Sequence, residues 1–241
     1  MKVFVISLKR SPERRNHIRQ QLESLGINFE FFDAVDGKAE TNHGLFRNYN
    51  YSKRLWLTSG RMPSAGELGC YASHYLLWQK CVDLHEPILI IEDDAQVDEQ
   101  LRKLLTVIAQ KVNEYGFLRL EEATKSCQLF VKESHSNYSI GFMSENFNGT
   151  RSYAIAPQAA EKLLNGSKRW CMPVDNYIGS LYLHGMPSFL LQPSVIRNPG
   201  DFNSTIQLGE ERRAKWYRKI SRELYSLYKK VQMQKCNKQY Q

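Results

Sequence analysis

The chain has 241 residues, 42% of them hydrophobic and 24% charged, with five cysteines and a formal net charge of +8. That size suits one large domain, or a domain with an appendage, and the balance excludes a disordered or low-complexity polymer. The charge is uneven: from Gly209 onward ten Lys/Arg face three Glu, so the remainder is nearly neutral and offers no extended basic track for nucleic acid.

At the amino terminus, "KVFVISL" (residues 2–8) is short and β-branched, which predicts a strand. Its apolar run is too short for a signal peptide, and charge follows at once. Ser11, Pro12 and Gly26 suit the cap, first position and stop of a helix carrying Ile18, Leu22 and Leu25 at helical spacing. "NFEFFDAVDG" reads as a second strand that turns at Asp36-Gly37. Residues 40–62 look irregular. Ser64 and Glu67 form a capping box that opens a helix through "LGCYASHYLLWQKCVDL". "PILII" then reads as a strand covered on both faces, as in a parallel sheet. "DEQLRKLLTVIAQKVNEYG" is the next helix. Short strand-like pieces follow ("FLRLE", "QLFVK", "YSIGFM", "SYAIA"), then a helix at "PQAAEKLLNG" and another at "VDNYIGSLYLHG". The β-α-β-α-β order through residue 94 predicts an α/β sheet of Rossmann type. No stretch approaches the roughly 20 apolar residues of a membrane span. The cysteines are odd in number and lack a CxxC pair, so neither a disulfide frame nor a zinc site is indicated, and a reducing, cytoplasmic setting follows.

Directly after the buried strand come three carboxylates, Glu92, Asp93 and Asp94. In an extended chain Glu92 and Asp94 share a face, with Asp93 opposed or at the bend. Ligands of open α/β sheets bind outside the carboxyl ends of the strands, and a hard cation there relieves the repulsion of two acids. Mg²⁺ or Mn²⁺ is the oxygen-liking choice. The alternative is that Asp93 or Asp94 caps the following helix while Glu92 pairs with a lysine. Apolar residues followed by acid-x-acid form the metal-diphosphate pattern of nucleotide-sugar glycosyltransferases.

Four stretches carry a closer resemblance: "VFVISLKRSPERR" (Val3 to Arg15), "GELGCYASHYLLW" (Gly66 to Trp78), "ILIIEDDA" (Ile88 to Ala95) and "PVDNY" (Pro173 to Tyr177), with "AVDG" at Ala34 to Gly37 also fitting. In that order they resemble glycosyltransferase family 25, the bacterial lipooligosaccharide galactosyltransferases. Ile91 stands where the family often has Leu, and the chain after about Leu208 lies outside the pattern. The resemblance implies a GT-A-like fold with a mostly parallel sheet flanked by helices. It further implies an inverting β-galactosyltransferase that uses a UDP-sugar, with UDP-galactose foremost. The implied acceptor is lipooligosaccharide at the inner face of a Gram-negative inner membrane.

Within that chemistry Glu92 and Asp94 are the expected metal ligands, with His184 completing the shell, and Asp93 orients sugar hydroxyls. Inversion needs a base for the acceptor hydroxyl. Asp175 is the candidate, though it equally suits a helix cap; Glu121 and Glu122 are the runners-up. Leu8, Arg10, Ser11 and Arg14 in the first strand-to-helix turn are expected to meet uridine or diphosphate, helped by the helix start. For the arginines the alternative is solvated helix charge. Asp36, Gly37, Ser73 and His74 join the donor set, with a buried structural histidine as the other reading of His74. Gly149 and Thr150 offer close backbone approach to a ligand.

The C-terminal stretch repeats Trp216, Ile220, Leu224, Leu227, Tyr228 and Val231 at helical spacing among Lys and Arg. This predicts a domain over 1–207 and a basic amphipathic helical tail over 208–241. Such a helix suits an anionic membrane surface; alternatively its apolar stripe packs on the domain. Rival readings are a nucleic-acid binder that uses the aromatic, basic tail, or a metal-dependent nucleotidyl or phosphoryl transferase. The neutral body speaks against the first, so no nucleic-acid partner is expected. The absence of a P-loop or glycine-rich phosphate cradle speaks against the second.

Overall fold

The computed structural model describes residues 1–147, 149–198 and 215–241. The elements run β1 (Lys2–Ser7), α1 (Pro12–Ser24), β2 (Glu30–Asp33), α2 (Tyr51–Lys53), α3 (Ala65–Leu84), β3 (Ile88–Glu92), β4 (Gln96–Val97), α4 (Gln100–Tyr115), β5 (Phe117–Arg119), β6 (Leu129–Ser134), β7 (Ser139–Met143), β8 (Ser152–Ile155), α5 (Pro157–Gly166), α6 (Val174–Ile178), α7 (Leu181–His184), β9 (Phe189–Gln192), β10 (Ile196–Arg197) and α8 (Lys219–Asn237). Eight strands form one sheet in the order β2-β1-β3-β8-β5-β9-β7-β6, and β4 with β10 make a separate ribbon.

The fold is α/β, as the sequence predicts. β1 pairs in parallel with β2 and β3, and β5 with β9. β8 runs antiparallel to both β3 and β5, and β7 antiparallel to both β6 and β9. Six of the eight strands therefore point the same way, and the two reversed ones are inserted among them. β3 is covered on both faces, but only its β1 side is parallel.

The alternation of a strand splits the core into two layers. Phe4, Ile6, Ile88 and Ile90 face α3, α5 and α6. Val3, Val5, Leu89 and Ile91 face α1 and α4. Continued past the strand, that alternation sends Glu92 toward α3 and Asp93 toward α1.

Several boundaries have local causes. Ser64 Oγ accepts the Glu67 N–H at 3.1 Å, which is one half of the expected capping box. Glu67 does not return the bond; its carboxylate takes buried Arg54 at 2.7 Å and the Tyr49 hydroxyl at 2.9 Å. Residues 40–62 are not wholly irregular, since they hold a 3-10 turn (Gly44–Asn48), α2 and a π turn (Arg54–Thr58). The helix expected over 174–185 breaks at Gly179 and Ser180 into α6 and α7. A Cβ on Gly179 would overlap the Asn146 carbonyl group, so only glycine fits there, and the backbone leaves the helix at the next residue, Ser180. The expected boundary between a domain and a tail, at 207/208, lies outside the described residues.

Candidate active site

The carboxyl ends of β1 and β3, the start of α1, the turn after β2, one face of α3 and the segment before β8 enclose a cleft of about 510 Å³. Glu92, Asp93 and Asp94 all line it, as do Leu8, Arg10, Ser11, Arg14, Asp36, Gly37, Ser73, His74, Gly149, Thr150 and Asp175. Every residue predicted for donor contact is thus brought to one place. Glu121, Glu122 and His184 do not line the cleft.

The three acids have different partners. Glu92 Oε1 accepts from Thr150 Oγ1 at 2.6 Å and faces His74 Nε2 at 3.2 Å. His74 is fully buried, and its Nδ1 lies 2.8 Å from the Tyr153 hydroxyl, which also accepts from Trp78 Nε1 at 2.9 Å. Tyr153 has one hydrogen, and Trp78 can only donate. His74 Nδ1 and Tyr153 therefore share one hydrogen bond, and His74 Nε2–H donates to the Glu92 carboxylate. Burial pushes the Glu92 carboxyl up, but its hydrogen bonds outweigh that and hold it below the usual range.

Asp93 accepts from Ser7 Oγ at 2.5 Å and from Arg14 Nη1 at 3.2 Å, yet burial keeps its carboxyl raised. Asp94 is the outlier. Among the described residues its buried Oδ1 has no hydrogen-bond donor, and the Arg151 Nε, 3.5 Å away, has no hydrogen-bond acceptor. Burial first, and then the Glu92 charge, push the Asp94 carboxyl up to about 6.

Asp175 sits in the first turn of α6, where its Oδ1 accepts the N–H of Asn176 at 2.7 Å. Burial raises this carboxyl, and the Glu92 charge raises it further. The position satisfies part of the helix-terminus reading and also the cleft reading.

Three assignments require correction. Glu121 is a buried anchor rather than a base: it accepts from Arg151 N at 2.9 Å and Nη1 at 3.1 Å, and lies 3.7 Å from Arg119. Glu122 is exposed, and its carbonyl accepts from Arg119 at 2.8 Å. His184 is no metal ligand. Its Nε2 donates to the Tyr177 carbonyl at 3.0 Å and its Nδ1 accepts from Met186 N at 3.0 Å, so both lone-pair positions are committed; burial lowers its pKa to about 4. Gly149 does line the cleft, but the tight approach it permits is to protein. A Cβ there would lie 2.6 Å from Arg119 Nη2 and 2.7 Å from Glu121 Oε1.

Ser73 has a similar dual position. It accepts from Val35 N at 2.9 Å and donates to the Gly69 carbonyl at 2.7 Å, which pins the turn after β2 onto α3. Arg10 pairs with Asp36 beside it. Cys70, Arg151, Lys38, Gly66 and Asn198 also line the cleft and are missing from the predicted set. Gly66, Cys70, Ser73 and His74 recur at i, i+4, i+7 and i+8, so the helical period carries that signal. Arg151 gives no such signal, because its partners Asp94 and Glu121 come from distant segments.

These residues fit a hard divalent cation. The cleft's arginine contacts fall on Asp36, Asp93 and Asp94, whereas Glu92 and Asp175 have no Lys or Arg contact among the described residues. The buried Asp94 Oδ1, which faces Arg151 Nε at 3.5 Å but accepts no hydrogen bond among the described residues, adds a hard oxygen. A second set, Cys70 Sγ, a His74 ring nitrogen and a Glu92 oxygen, lies within 4.8 Å of one another. It is poorly prepared for a metal: burial keeps the Cys70 thiol protonated, and the His74 Nε2 lone pair is taken by its proton.

Residues 1–178 match the family model described as "Glycosyltransferase family 25 (LPS biosynthesis protein)". The chain is 28% identical over 197 residues to a "Glycosyltransferase 25 family member" of Aedes aegypti, and 26% identical over 196 residues to mouse "Procollagen galactosyltransferase 2". Each alignment covers 75% of this chain and 30% of the relative, so the chain spans under a third of these animal proteins. It is 32% identical over 162 residues to the "Lipooligosaccharide biosynthesis protein lic2B" of Haemophilus influenzae, covering 67% of this chain and 53% of that one.

Proposed function

The chain belongs to glycosyltransferase family 25, and from that premise we propose that it moves a hexose, galactose foremost, from a UDP-sugar to a lipooligosaccharide acceptor with inversion at the anomeric carbon. The bacterial relative named for lipooligosaccharide biosynthesis supports the acceptor class, and the mouse procollagen galactosyltransferase supports the sugar. On this reading the enzyme works at the cytoplasmic face of a Gram-negative inner membrane. One observation carries the proposal: a donorless buried Asp94 oxygen beside Glu92, at the carboxyl end of β3, in a cleft of nucleotide size.

Glu92 and Asp94 would hold Mn²⁺ or Mg²⁺, which supplies charge neutralisation for the departing diphosphate. His74 and Thr150 fix the orientation of the Glu92 carboxylate through Oε1. Arg151 is held by Glu121 and so brings its guanidinium to Asp94 at a set position. Arg10, Arg14 and the start of α1 border the same cleft and favour an anionic donor. The acceptor hydroxyl attacks the anomeric carbon from the face opposite UDP. Its proton passes to the Asp175 carboxylate as the bond to the diphosphate oxygen breaks. Burial raises the Asp175 carboxyl above the ordinary range, which makes its carboxylate a better base.

Turnover is measured as UDP released from UDP-galactose in the presence of Mn²⁺ and a lipooligosaccharide acceptor. Asp175→Asn and Asp94→Asn are each expected to lower kcat/KM by a factor of about 10² or more. Release of pyrophosphate instead of UDP, or wild-type turnover in Asp94→Asn, would contradict the proposal.

A further inference from the structure

α8 is amphipathic, but the face it buries is not its apolar stripe. Ser221 Oγ donates to the Trp56 carbonyl at 2.6 Å and Arg222 Nη1 to the Ser59 carbonyl at 2.9 Å. Further along, Asn237 Nδ2 donates to the Ser144 carbonyl at 2.7 Å, and Met233, Cys236 and Tyr240 pack on the second core layer. The helix is therefore already seated on the domain by its polar and C-terminal residues.

The apolar stripe, for which packing on the domain is the alternative reading of the sequence, faces outward. Trp216 is 82% exposed, Ile220 71%, Leu224 63%, Leu227 61%, Tyr228 51% and Val231 41%. Spacings of three and four residues put them on one side of the helix. The patch continues at its N-terminal end into Trp56, itself 46% exposed, whose ring lies 6.0 Å from that of Tyr217. Exposed Lys219 and Lys230 border the stripe, and Lys235 and Lys238 follow at its C-terminal end, against the single acid Glu223.

We infer that this outward face of α8 is a docking surface for an anionic lipid bilayer, lying flat with the apolar stripe among the headgroups and the lysines on lipid phosphates. Charge selects that occupant. The excess basicity of the chain is concentrated at this end, which an anionic surface attracts. A second copy of the chain would instead bring two basic faces together. Aromatic side chains at one end of an apolar stripe suit the bilayer interface. Among the described residues no helix is long and apolar enough to cross a membrane, so the surface lies on the bilayer rather than spanning it. The inference does not rest on the transferase reading.

The full chain is mixed with vesicles of phosphatidylglycerol and phosphatidylcholine, and binding is followed by sedimentation. The wild-type protein is expected to bind the anionic vesicles, to leave them at high salt, and to ignore pure phosphatidylcholine. Its fluorescence should shift to the blue on binding, and that shift should shrink in Trp216→Phe, with Trp56 supplying the remainder. The double variant Leu224→Gln with Leu227→Gln should lose affinity by about tenfold or more. Its melting temperature should not change, because both side chains are exposed and neither lines the cleft. Vesicle binding equal in the double variant and wild type overturns the inference. So does a wild-type protein that ignores anionic vesicles, including one that forms a dimer abolished by the same variant.

Discussion

Asp94 has a raised carboxyl because its Oδ1 is buried, donorless and close to the Glu92 charge, while Arg151 only partly compensates. Its stability effect follows from linkage. The folded state binds this proton more tightly than the unfolded chain does. The resulting stabilisation is full below the ordinary carboxyl range near pH 4 and is lost as pH rises through about 6. Above that the charged form opposes folding, by at most about 3 kcal/mol for a two-unit shift. In metal-free solution Asp94→Asn should therefore melt a few degrees above wild type at pH 7 and together with it at pH 4. A variant that melts below wild type at pH 7 would mean that Arg151 needs the carboxylate more than the fold resents it. At this scale the sequence was informative where chemistry is local. Short patterns singled out the acid triplet, Asp175 and the Ser73-His74 pair, and all of them line the cleft. Glu121 and His184 were misread because their roles depend on Arg119, Arg151 and the Tyr177 carbonyl, partners that no local pattern announces.

Among the elements, α3 does most to shape the cleft. Its face carries Gly66, Cys70, Ser73 and His74, and the turn after β2 lies directly on it. Gly69 makes that approach possible: a Cβ there would overlap the Val35 carbonyl oxygen and sit 2.9 Å from Gly37 N. Both neighbours are backbone and cannot move aside as a side chain would. Gly69→Ala is expected to destabilise by about 1–3 kcal/mol and to lower the melting temperature by several degrees. Donor binding should weaken as well, because Asp36, Gly37 and Lys38 ride on the displaced turn. Unchanged melting and binding would show that the turn tolerates displacement. Helix ends such as Ser64 and Gly116 were readable because capping is local. The break between α6 and α7 was not, because Gly179 keeps helical backbone and the departure at Ser180 carries no side-chain capping hydrogen bond to announce it.

For the molecule as a whole, the sheet places the parallel strands β1 and β3 side by side, so their carboxyl ends and the start of α1 open into one cleft. The β-α-β-α-β order made that part legible. The insertion of β8 between β3 and β5 was not, because its ladders join residues 61–67 positions apart with β3 and 34–38 apart with β5, with no local signature. Yet this insertion delivers Gly149, Thr150 and Arg151 to the acid triplet. The cleft is thus assembled from both ends of the matched region, and the basic helix α8 lies outside residues 1–178. Titration calorimetry of UDP-galactose, with and without Mn²⁺, tests most directly whether Glu92 and Asp94 hold a cation against a sugar nucleotide. Wild-type protein should bind only with Mn²⁺ present, and Asp94→Asn should bind at least about tenfold more weakly. Equal binding without the cation, or undiminished binding by Asp94→Asn, would contradict it.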